Sequence, residues 1–177
     1  MDELLGDFKQ ESLGLIEDTL VLLEDIEGVV SRIKELENFG QIIDRIMGGA
    51  KSLETLITNS SYLSEIGTYA EICKLVGYKG SQIEDNPIFF NVVVALLLDA
   101  VEVLQKFISD LGAKTQCSVS ETLSNTLLER LRWVDTQFPK DTRGTLSLDK
   151  SPENKDEGAL NSSEIDDLLK SLGCEAA

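Results

Sequence analysis

The sequence predicts an all-α protein, a helical bundle with a short amphipathic helix set apart at its C-terminal end. Apolar residues recur at helical spacing through most of positions 1–138. Proline occurs three times in 177 residues and aromatics make up 6%, which disfavours a sandwich or barrel. Hydrophobic residues reach 42%, enough for the buried core of one domain.

The first helix is expected over Asp2 to about Val30, with Leu5, Phe8, Ile16, Leu20 and Leu23 on one face. A second spans about Ile33 to Ile57, its stripe made by Ile43, Ile46, Met47, Ala50, Leu53 and Ile57. Gly48-Gly49 interrupts this helix, and each glycine there costs about 1 kcal/mol relative to alanine. The pair therefore marks either close packing or a site whose side chain has been lost. A third helix covers about Ser61 to Val76 and ends at Gly77 to Gly80. The fourth starts after Asn86-Pro87, with proline well placed for a helix start, and runs to about Leu111. It is apolar nearly all round, the pattern of the most buried helix of a bundle. A fifth starts near Ser118 or Ser120, where Ser118 to Glu121 has capping-box form. Leu123, Leu127, Leu131 and Val134 line its buried side, with Trp133 beside them.

Three segments follow from this pattern: a bundle over 1–138, a flexible linker over 139–161, and a peptide over 162–177. The linker is rich in Lys, Asp, Glu, Ser, Asn and Gly and has almost nothing to bury. In the last segment Ile165, Leu168, Leu169 and Leu172 fall at i, i+3, i+4 and i+7, and Gly173 stops the helix. So short a helix is marginal alone in water and folds when its apolar edge finds a groove.

The formal net charge is −16, from 32 acidic and 16 basic residues. That balance disfavours nucleic acid and membrane surfaces as partners and favours a protein with a basic face. Cys73, Cys117 and Cys174 suit neither a zinc site nor a disulfide framework, and no metal is expected. With an acidic start at Met1-Asp2-Glu3 and no apolar run of about 20 residues, the chain is expected to be cytoplasmic. Nothing in the sequence fixes an oligomeric state.

Several stretches point to a family. Asp7-Phe8-Lys9-Gln10-Glu11-Ser12 followed by Leu20 to Glu24, then Asp44-Arg45-Ile46-Met47-Gly48-Gly49-Ala50-Lys51-Ser52, Ala70-Glu71-Ile72-Cys73 leading to Gly80, and Leu98-Asp99-Ala100-Val101 together resemble the histidine-phosphotransfer (HPt) domain, most closely that of the chemotaxis kinase CheA. The resemblance covers about Met1 to Leu111. It implies an HPt-like up-and-down four-helix bundle, here with an additional helix, flexible linker and short C-terminal amphipathic helix. Arg45 and Lys51 stand where that family has its arginine and lysine, Ser52 replaces its glycine, and Glu71 matches the carboxylate that orients the histidine. Gly48 stands where the phosphorylated histidine belongs, and the chain contains no histidine at all. Without an imidazole nucleophile it cannot be a phosphohistidine carrier. Asp44, Gly48, Lys51 and Ser52 then form a docking face without an acceptor.

The end of the chain carries a second resemblance. Ile165-Asp166-Asp167-Leu168-Leu169 with Leu172 is similar to the short acidic helices of CheZ and FliM that bind the response regulator CheY. Both resemblances imply the same partner, the receiver domain of a CheY-like response regulator, engaged by a bundle and a tethered peptide.

Response-regulator phosphatases place an acid and an amide on one helix. Glu37 and Gln41 approximate the CheZ-like phosphatase spacing, and Glu35 with Asn38 matches a second class. Glu37, Gln41, Asp44, Gly48 and Lys51 share one helical face, so Glu37 and Gln41 are the candidate catalytic pair. Hydrolysis of an aspartyl phosphate there needs positioning and electrostatics only. No cofactor is expected in the chain itself, since any Mg2+ would be carried by the response regulator. The leading expectation is thus a His-less binding module for two-component signalling. The alternatives are a CheZ-like phosphatase and an acidic scaffold in a chemotaxis or flagellar assembly.

Overall fold

The structure, a computed structural model, describes residues 2–57, 60–113, 116–144 and 164–174. The expected linker falls outside the described residues from 145 onward, as does the start of the expected peptide. Among the described residues the regular structure is entirely helical. Helix α1 spans Asp2–Ile26, α2 Glu35–Leu56, α3 Ser61–Gly80, α4 Pro87–Asp110, α5 Val119–Thr122, α6 Asn125–Gln137 and α7 Glu164–Ser171, with one 3-10 turn at Val30–Arg32.

The four long helices close a ring in which α1 packs on α2, α2 on α3, α3 on α4 and α4 back on α1. Neighbours run antiparallel. Glu11 meets Arg45 and Asp44 meets Lys74. Tyr62 and Tyr69 donate to the carbonyls of Phe107 and Ala100. Gly28 N–H, in turn, donates to Asn91 at the other end of the α1–α4 pair. Gly28 ends α1 in the left-handed region at φ 75°, where a side chain would be strained. At the head of α4, Asn86 accepts from Phe89 N–H with Pro87 in the first turn, as the sequence predicts.

Helix α3 ends at Gly80, within the glycine stretch where its end is expected, and its glycines are occupied from outside: the Phe39 ring fills the space beside Gly77, and Leu36 and Val93 fill that beside Gly80. Two expectations change. The fifth helix divides. Ser118 and Glu121 form the capping box, but Leu123 takes an extended conformation and Ser124 caps a new helix, its hydroxyl accepting from Leu127 N–H. The most buried helix is α3, not α4. Residues 72–81 are buried without a break, whereas Ile88 and Val92 of α4 are exposed. The reason is that α3 is covered on a third side by helices outside the ring.

Those covering helices are α5 and α7, and α6, packed on α4 and α7, reaches α3 through Asp135. Helix α7 packs against α3 and α6, with Ile165 and Leu169 at zero exposure and Leu172 and Cys174 nearly so. The groove that its apolar edge finds is on its own bundle. Arg132 of α6 holds it by its polar side, donating to Asp166 at 3.0 Å and to the Cys174 carbonyl at 2.6 Å. Under this cover Lys79 of α3 meets Asp135 of α6 at 2.7 Å, both side chains 3% exposed. Burial pushes Asp135 up from the ordinary carboxylate range, and the hydrogen bond from Lys79 opposes the shift.

Burying an aliphatic side chain fully contributes about 1.5–3 kcal/mol, so α7 is a structural part of the bundle. Leu169→Ala should cost about 2–5 kcal/mol in denaturant unfolding, and a chain ending at Asn161 should melt at lower temperature than the full chain. Equal melting temperatures would show that α7 contributes nothing to the fold.

Candidate functional site

The residues singled out on α2 lie along its exposed side next to α3. Two cross-helix ion pairs organise that surface. Lys74 Nζ donates to Asp44 at 2.8 Å, with the lysine nearly buried, and Lys51 Nζ donates to Glu71 at 2.7 Å, both more open. On the α1 side Arg45 reaches Glu11 at 2.8 Å. Exposed pairs of this kind contribute about 0–1 kcal/mol each. Their effect here is to fix side-chain positions on the surface.

Gly48 sits among these pairs, one turn from Asp44 and three residues from Lys51. It is exposed, and an added Cβ would meet nothing within 4 Å. Ser52 donates its hydroxyl to the Gly48 carbonyl at 2.8 Å, so it turns back on the helix rather than outward. Gly49 differs. The Phe8 ring of α1 occupies the place of its side chain, and a Cβ there would stand 2.7 Å from the ring. One glycine of the pair thus serves close packing, and the other leaves an open position.

Of the acid–amide pair, Glu37 is half-buried at 3.4 Å from Lys34, and Gln41 is exposed one turn further along. Glu35 of the other spacing lies 3.9 Å from Arg32, and Asn38 is exposed. Glu71, which the resemblance matches to the carboxylate that orients the histidine, accepts from Lys51.

The tail residues lie elsewhere, over α3 and α6. Ile165, Leu169 and Leu172 are buried and Leu168 is half-buried. Asp166 accepts from Lys170 and Arg132, which hold its carboxyl below the ordinary range, while Asp167 is exposed.

Sequence reasoning passed over Lys74, Lys79, Asp135 and Arg132. Lys79 and Asp135 are 56 positions apart, and only the tertiary fold joins them. A cavity of about 550 Å³ opens at the far end of α2 and α3, among Lys34, Gln82, Asn86, Phe89 and Phe138, remote from Gly48. Among the described residues, no three His, Cys, Asp or Glu side chains gather to hold a metal ion. No family model, curated protein or solved structure matches this chain.

The two glycines should respond oppositely to alanine. Gly48→Ala gains helix propensity at no steric cost and should stabilise the bundle by about 1 kcal/mol. Gly49→Ala must displace Phe8 and should destabilise by about 1–3 kcal/mol. Thermal melts followed by circular dichroism check the order: Gly48→Ala above the parent chain, Gly49→Ala below it.

Proposed function

We propose that this chain is an HPt-like binding module without an acceptor, which captures the receiver domain of a CheY-like response regulator on the α2/α3 surface around Gly48. One observation carries the reading. A glycine at the position matching the phosphohistidine lies open on the surface, between the fixed pairs Asp44–Lys74 and Lys51–Glu71. A receiver domain docked there meets a charged helical face and no imidazole. Binding without phosphotransfer holds the regulator without discharging it.

The bundle face, rather than the tail, carries this reading. The apolar side chains with which the tail would grip a partner are buried against α3 and α6. A regulator engaging Ile165, Leu169 and Leu172 must first displace them, and the stability of that docking subtracts from its affinity.

Titration calorimetry with a purified CheY-like receiver domain tests the proposal. The parent chain should bind. Gly48→Trp, which has room to fold, should weaken binding tenfold or more, about 1.4 kcal/mol. Labelled phosphate from a histidine kinase should stay off the chain throughout. Equal affinity of the Gly48→Trp variant would remove the α2/α3 face from the account. Faster loss of the regulator's phosphate, abolished by Gln41→Ala, would make the chain a phosphatase.

A further inference from the structure

Helix α4 carries more apolar surface than the bundle uses. It is the one described helix long and apolar enough to cross a membrane, with a mean hydropathy of 2.1 over 18 residues, and only 44% of that stretch is buried. Helices α1 and α3 take its inner side. On its outer side Ile88 is 78% exposed, Val92 38%, and Ala95 is open. At i, i+4 and i+7 these three form one stripe. Trp133 of α6, 49% exposed, flanks the stripe, its ring 6.2 Å from that of Phe89 and nearly perpendicular to it. The Arg130–Asp99 pair at 3.0 Å fastens α6 to α4 one turn away from the tryptophan.

The rim of this patch is mostly acidic, its cations being Arg130, paired with Asp99, and Lys106 at the far end of the stripe. Glu84 and Asp85 precede the stripe, Glu102 continues it two turns beyond Ala95, and Glu129 lies one turn before Trp133, all exposed. A second copy would bring the same rim and another net charge of −16. An anionic lipid surface is repelled in the same way. The chemistry that satisfies both the apolar stripe and its rim is a helix with one apolar face and lysine or arginine along its flanks.

We propose that the outer face of α4, with Trp133, docks a basic amphipathic helix of a partner protein. Its apolar side chains lie over Ile88, Val92 and Trp133, and its cations meet Glu84, Glu102 and Glu129. Helices α2 and α4 occupy diagonal corners of the ring, so this surface is separate from the one around Gly48.

Trp133 is the only tryptophan in the chain, so its fluorescence reports on the patch directly. The full-length protein is titrated with a Leu/Lys amphipathic peptide of about 18 residues, roughly five helical turns, and with its Leu/Glu counterpart. The Lys peptide should shift Trp133 emission to the blue with saturation, and the Glu peptide should not. Ile88→Ser with Val92→Ser, at positions that contribute little to the core, should weaken binding tenfold or more. Glu102→Gln with Glu129→Gln should weaken it and flatten its salt dependence. Sedimentation should find a monomer, and neutral or anionic phospholipid vesicles should leave the emission unchanged. Absence of the shift, equal binding by the Ile88/Val92 variant, a dimer abolished by that variant, or a blue shift with vesicles would each overturn the proposal.

Discussion

The Phe39 ring of α2 occupies the place where Gly77 of α3 has no side chain, and the Tyr78 ring of α3 does the same at Gly40 of α2. A Cβ at either glycine would stand 2.5 Å from the opposing ring. This reciprocal fit of aromatic against glycine sets the spacing and register of the two helices. Ala50 and Gly67 extend it along the interface. With the backbones this close, side chains bridge the seam on its solvent side, and the pairs Asp44–Lys74 and Lys51–Glu71 follow from it. The surface around Gly48 is therefore a product of buried packing one layer below.

The same interlock commits one side of α3 to α2, while Tyr62 and Tyr69 commit another to α4. The remaining side needs a cover, and α7 with α5 supplies it, α6 reaching in through Asp135. Lys79 and Asp135 satisfy each other beneath that cover, since an uncompensated buried charge costs several kcal/mol. Glu164 at the start of α7 feels the same environment: burial pushes its carboxyl up, and the charge of Lys79 opposes the shift. The tail thus closes the third side of the central helix and belongs energetically to the bundle.

Much of the helical layout was legible in the sequence because capping and periodicity are local. Asn86-Pro87, the Ser118–Glu121 box and the stop at Gly173 stand where local rules put them, Gly173 at φ 78°. What fills the space beside Gly77 and Gly80 was not legible, since those rings and methyls come from α2 and α4. Hydropathy placed α4 deepest because an all-round apolar helix reads the same whether its second face meets protein or solvent. The i, i+3, i+4, i+7 edge of α7 was readable, but not the surface it packs on. At the candidate site, the shared face of Glu37, Gln41, Asp44, Gly48 and Lys51 was readable from spacing. That Glu71 turns to Lys51 and Asp44 to Lys74 depends on how closely α2 and α3 approach.

Amide chemical-shift mapping of the isotope-labelled chain, titrated with an unlabelled CheY-like receiver domain, tests most directly whether the α2/α3 surface is the recognition face. The account predicts that shifts concentrate at residues 44–52 of α2 and on the facing turns of α3 around Glu71 and Lys74, with α7 resonances unchanged. Shifts confined to residues 164–174, or none at saturating receiver, would contradict it.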